Sequence, residues 1–103
     1  MYSMENMEKN EENLRLHFQK ELGEISWKDI ELFFASGNVV DVSRDLSLVD
    51  VAVGFSMDDT ESVQLWMENK LISRLSDAKA LKLANENSKI KAVVSKPFVL
   101  IQD

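Results

Sequence analysis

The 103-residue chain has no cysteine, one proline, three glycines and one histidine. The first absence removes disulfides, thiolate metal sites and cysteine nucleophiles together, and it fits a reducing compartment, the cytoplasm. One histidine, His17, cannot build a histidine-rich metal site, and a Ser-His-Asp triad would have to recruit it. The glycines stand too far apart for G-x-G-x-x-G or G-x-x-x-x-G-K, so neither phosphate-cradling loop can form. No run approaches the roughly 18 apolar residues of a membrane-spanning helix. The opening MYSMENMEKNEENL lacks the basic and apolar regions of a signal peptide. Positive charge is scarce as well, with 12 Lys and Arg against 18 Asp and Glu, a net charge of −6. The only local excess of bases is in residues 76–103, where Lys79, Lys82, Lys89, Lys91 and Lys96 face three acids. The whole molecule repels phosphate, so neither nucleic acid nor membrane is an expected partner.

What is present is the material of an ordered globule, 45% apolar and 29% charged. The length suits a single domain spanning residues 1–103, with residues 1–6 frayed. Met7, Leu14, Phe18 and Leu22 fall on one stripe of a first helix that Gly23 stops. Ser26 and Asp29 have the spacing of a capping box ahead of a second helix, Trp27 to Ser36, with Ile25 placed for a hydrophobic staple and Gly37 as its stop. Residues 38–43, NVVDVS, read as a strand. In Ser47 to Ser56, Val49, Val51, Val53 and Phe55 alternate with Leu48, Asp50, Ala52 and Gly54, which predicts a half-buried antiparallel strand and a β-hairpin with the strand before it. Asp58 or Asp59 then begins a helix to about Asn69, its inner stripe formed by Val63, Trp66 and Met67. A short strand, 71–75, precedes a fourth helix capped by Ser76, with Ala78, Leu81 and Ala84 facing in. The last run gives two strands, 90–95 and 98–102, or one bent strand, with Pro97, which lacks an N–H donor, at a bulge, a break or an unpaired edge. Residues 98–101 are apolar on both faces and belong deep in the sheet or under a helix. The expected fold is α+β: an antiparallel sheet of four to five strands with helices packed mainly on one face.

The stretches ELGEISWKDIELFFASG (21–37), VVDV (39–42), LSLVDVAVGFSMDD (46–59), the helix bearing Trp66, and AVVSKPFVLIQ (92–102) together resemble a small bacterial family known as domain of unknown function 2288. The resemblance covers about residues 14 to 102. Where that family often carries an aromatic residue before the AVV segment and a Trp after the proline, this chain has Lys91 and Phe98. The resemblance implies a soluble bacterial protein and brings no activity, cofactor or catalytic residue with it.

Asp58 and Asp59 side by side could ligate Mg²⁺ or Ca²⁺, but D-x-D-x-D-G is absent and helix capping accounts for both. Asp50 is a mid-strand carboxylate in this reading. If a helix covers it, it needs a partner such as Arg44 or Lys91, and a buried carboxylate of perturbed acidity would mark a site. Trp27 and Trp66 are either core residues or, if exposed, a binding platform. The N-terminal helix, with Met4 and Met7, could adapt to a partner helix. No nucleophile–base pair is legible, and no cofactor or metal is expected. The sequence therefore favours a non-enzymatic binding or protein-interaction module, with a homodimer as one form of it, acting through an exposed sheet edge or the N-terminal helix. The alternative is a small-molecule-binding or hydrolytic protein. The candidate binding residues are Asp50, Arg44, Asp58, Asp59 and Trp27.

Overall fold

A computed structural model describes residues 2–103, with side chains from Glu11 onward. Met1 and the side chains of residues 1–10, on which the expectation of a Met4/Met7 surface rests, lie outside the described residues. The elements run α1 (Tyr2–Glu21), β1 (Gly23–Ile25), α2 (Trp27–Ala35), β2 (Val39–Val42), α3 (Leu48–Ser56), α4 (Thr60–Glu68), β3 (Ile72–Arg74), α5 (Asp77–Glu86), β4 (Ile90–Ser95) and β5 (Phe98–Gln102). The fold class is α+β, as expected.

The sheet has five strands in the order β1-β4-β5-β2-β3. It is mixed rather than antiparallel, because β2 lies parallel to β5 (Val40 beside Leu100) while every other neighbouring pair is antiparallel. The helices also cover both faces rather than mainly one. α1, α3 and α4 pack on the face that carries Val40, Val42, Ile72, Val93 and Leu100. α2 and α5 pack on the face that carries Val39, Ile90, Ala92, Val99 and Ile101. The cause is legible in β5: consecutive apolar residues on a central strand present apolar surface to both sides, and both must be covered. Val99, Leu100 and Ile101 are all buried accordingly. Lys96 and Pro97 form the turn between β4 and β5, joined by a cis peptide bond.

The largest correction concerns Leu48 to Ser56, which is helix α3 and not a strand. No hairpin therefore follows β2. Six of the nine α3 residues are buried: Leu48, Val49, Val51, Ala52, Val53 and Gly54. A helix buried on most of its circumference shows no polar stripe, so its valines can alternate in sequence without forming a pleat. The start is set by Ser47, whose Oγ accepts from the Asp50 amide at 3.3 Å.

Caps fix the other helices. The Asp29 carboxylate accepts from the Ser26 amide at 3.3 Å and from its hydroxyl at 3.2 Å. α2 ends where the Gly37 amide donates to Phe34 and the Asn38 amide to Phe33, with Gly37 at φ +76°, the left-handed corner that favours glycine. Ile25 packs in the same cluster as Ile30. Ser76 Oγ accepts from the Lys79 amide at 3.1 Å to start α5. The inward residues of α5 are Ala80 and Leu83. Leu81, predicted to face in, is 64% exposed.

Candidate functional site

The paired acids lie in the link between α3 and α4. The Asp58 amide donates to the Phe55 carbonyl and the Asp59 amide to Gly54, with Asp58 at φ 58°, so Asp58 is the left-handed corner that ends α3. Asp59 is the residue that caps α4, its Oδ1 accepting from the Ser62 amide at 3.2 Å. The cap therefore falls one residue beyond the Asp58–Glu61 spacing. Hydrogen bonds from the hydroxyl and amide of Ser62 hold the Asp59 carboxyl below the ordinary 3.8. A carboxyl shifted in this direction is a weaker proton carrier near neutrality, not a primed general acid.

Asp50 stands in the first turn of α3, and its carboxylate pairs with Arg15 on α1 instead of with Arg44 or Lys91. The two side chains are 40% and 50% exposed, so this is a surface pair of small energetic weight. With Glu11, Asp59, Ser62 and Trp66 they line a polar hollow of about 530 Å³. The structure thus brings Asp50 and Asp59 into one hollow but sends Arg44 elsewhere: its Nε donates to the backbone carbonyl of Asp103. Trp27 is on the α2 face of the sheet, stacked at a tilt on Phe34 with ring centroids 5.6 Å apart. It shares no site with the acids. Trp66 lies against α3, where a Cβ built on Gly54 would meet two of its ring carbons at 3.0 Å.

A second charged cluster is structural. Lys79 Nζ reaches Asp41 at 2.8 Å and Asp103 at 2.8 Å. Burial alone would pull the Lys79 ammonium down, but its bonds to Asp103 and Asp41 outweigh it and the net direction is up. The hydrogen bond from Lys79 holds the Asp103 carboxyl below the ordinary 3.8 against a smaller opposing effect of burial. Among the described residues every buried side-chain nitrogen and oxygen has a partner, no three His, Cys, Asp or Glu side chains gather as metal ligands, and no helix is long and apolar enough to cross a membrane.

The feature that sequence reasoning did not find is an open apolar groove beneath α4. It consists of two adjoining hollows of about 400 Å³ and 240 Å³ that share Phe55, Val63, Met67 and Phe98. Phe55 and Phe98 meet edge to face with ring centroids 5.3 Å apart. Asp58, Asp59 and Thr60 stand at one end. Gly37, Val40, Ile72, Ser73 and Arg74 form the other. The groove exists because α4 docks loosely: none of its nine residues is buried, and Val63 and Trp66 are its partly buried anchors. Arg74 points onto this face by strand register, since it pairs with Val40 two residues from the Val42–Ile72 pair. Among the described residues Arg74 forms no ion pair. Alternation puts Ile72 and Arg74 on the same face of their strand, but which face of the sheet that is follows only from the pairing of β3 with β2. The rest of the groove draws on five separate elements, β2, α3, α4, β3 and β5, and leaves no local pattern.

No curated protein matches the chain. Its fold is similar to the NMR solution structure of the Pseudomonas aeruginosa protein PA1075, at 32% sequence identity and a TM-score of 0.76, over 87% of this chain and 83% of that one. The model of a protein family of unknown function, DUF2288, matches residues 13–103. Sequence and fold together thus carry the resemblance through to membership: the chain belongs to the DUF2288 family.

Proposed function

We propose that this chain is a non-enzymatic binding module whose ligand-facing surface is the groove between α4 and the sheet. The observation that carries this reading is the groove itself, apolar along its length at Phe55, Val63, Met67 and Phe98, with Asp58 and Asp59 on its rim. Its larger hollow, about 400 Å³, falls within the range of small-ligand sites. The neighbouring carboxylates support the same reading. Asp59 is an acidified cap, Asp58 a corner and Asp50 half of a surface ion pair, so none is arranged as the acid or base of a hydrolytic step. Pairing between copies through a sheet edge has less to recommend it: both edge strands, β1 and β3, are three residues long and offer a short template.

The test is titration with Nile red, a neutral apolar dye. Saturable one-site binding is expected, weakened at least several-fold by Met67→Glu on the exposed lip of the groove and unchanged by Asp50→Asn. Binding that ignores Met67→Glu, or that fails to saturate, would overturn the assignment of the groove.

A further inference from the structure

The charge distribution around the groove selects a class of ligand. At the α3–α4 corner, Asp58 and Asp59 present two carboxylates. At the opposite end Arg74 presents a guanidinium that has no acidic partner among the described residues. A cation whose only task was to discourage edge pairing would serve equally well on either face of β3. Arg74 instead branches from the α4 face, beside Val40 and Ile72 at the groove mouth, and its side chain also borders a hollow of about 340 Å³ that Phe34, Leu75 and Asp77 line around the sheet edge. A Cβ built on Gly37 would lie 3.8 Å from its Nη1, which places the guanidinium at the corner between α2 and β2.

Resting on the binding reading above and deepening it, we infer that the groove takes a free aliphatic monocarboxylate. The tail lies along Phe55, Val63, Met67 and Phe98, and the headgroup lies against Arg74. Three features argue for this occupant. The lining between the two ends is apolar, so it rewards a hydrocarbon and not a polar chain. A guanidinium receives a carboxylate through two parallel N–H···O bonds. The acids at the far end repel a carboxylate, so only one orientation of the ligand is favourable.

The experiment is a ¹H–¹³C and ¹H–¹⁵N NMR titration of the full chain with three ten-carbon probes below their micellar concentrations: decanoate, decanol and decyltrimethylammonium. Decanoate is expected to shift Val63, Met67, Phe98 and the Arg74 Nε resonance saturably, and to bind about three- to tenfold more tightly than decanol. Arg74→Gln, a change at an exposed position, should bring decanoate down to the level of decanol and leave decanol unchanged. Arg74→Lys should keep part of the preference, because the charge remains and the paired donors do not. Equal binding of decanoate and decanol, tightest binding of the ammonium probe, or an Arg74→Gln variant that still prefers decanoate would overturn the ligand class. In each of those cases the groove still binds an apolar chain. If no probe moves a groove resonance, the inference falls and the groove reading falls with it.

Discussion

Helices α3 and α4 follow each other through a three-residue corner, Met57 to Asp59, and have the same length, nine residues, yet they hold opposite positions in the molecule. α3 buries six residues between α1 and the sheet. α4 buries none and leaves open space on both flanks, the polar hollow on one side and the apolar groove on the other. The pair shows how one short segment can divide its tasks. A helix that is apolar almost all round supplies the core, and an amphipathic helix with a narrow apolar stripe supplies a cover that does not close. Openness beside a well-packed element is where a small fold has room for a ligand.

The difference can be broken most forcefully in α3. Leu48→Ala, at a side chain 2% exposed, should cost about 2–5 kcal/mol in urea unfolding. The same truncation at Leu65 of α4, 54% exposed, should change stability by no more than about 0.5 kcal/mol. Comparable losses at both sites would mean that α4 is as deeply integrated as α3. Next in size is the contact between the helices. Gly54→Val forces atoms into the space of the Trp66 indole and should cost about 1–3 kcal/mol, with a shift in tryptophan emission as α4 is displaced. Unaltered emission would show that the ring does not seat α4 on Gly54.

The corner gives a smaller effect of opposite sign. Asp58→Gly relieves a left-handed residue and should stabilise the protein by up to about 1 kcal/mol in the same assay. A loss of stability would instead give the Asp58 side chain a role that its backbone does not explain. The smallest effect is the response to acid at the start of α4. The Asp59 carboxyl is lowered in the folded state, so its capping contribution is fully present above the ordinary value of 3.8 and disappears as pH falls through the lower folded value. The Ser62 amide proton shift should therefore titrate with a midpoint below 3.8, and Asp59→Asn should abolish that titration. A midpoint at or above that value would remove Asp59 as the cap.

Where a local signal had one physical cause, the sequence was read correctly. Ser26 with Asp29, Ser76 before Asp77, Gly37 after Ala35, and the doubly apolar 98–101 run each identified an element, because caps, stops and central strands act within a few residues. LVDVAVGFS failed because two causes produce the same pattern. Alternating valines suit a half-wet strand, and they also suit a helix wrapped in apolar neighbours. Ser47, whose hydroxyl accepts from the Asp50 amide, is the helix-start signal here, and the β-branched content of the segment masks it. Of the candidate residues, Asp58 and Asp59 do reach the groove rim, while Trp27 and Arg44 lie at other places. Arg74 was invisible as a site residue because its significance comes from the face of an edge strand, and that face is settled only when β3 pairs with β2.

The placement of β5 has a consequence for the newborn protein. This strand is inserted between β4 and β2, and it contributes Leu100 to one apolar cluster and Val99 and Ile101 to the other. Until residue 102 has left the ribosome, the β1–β4 pair and the β2–β3 pair share no neighbour. Completion of both layers waits on β5, which makes residues 98–102 the segment whose pairing turns a loose nascent polypeptide into a closed structure.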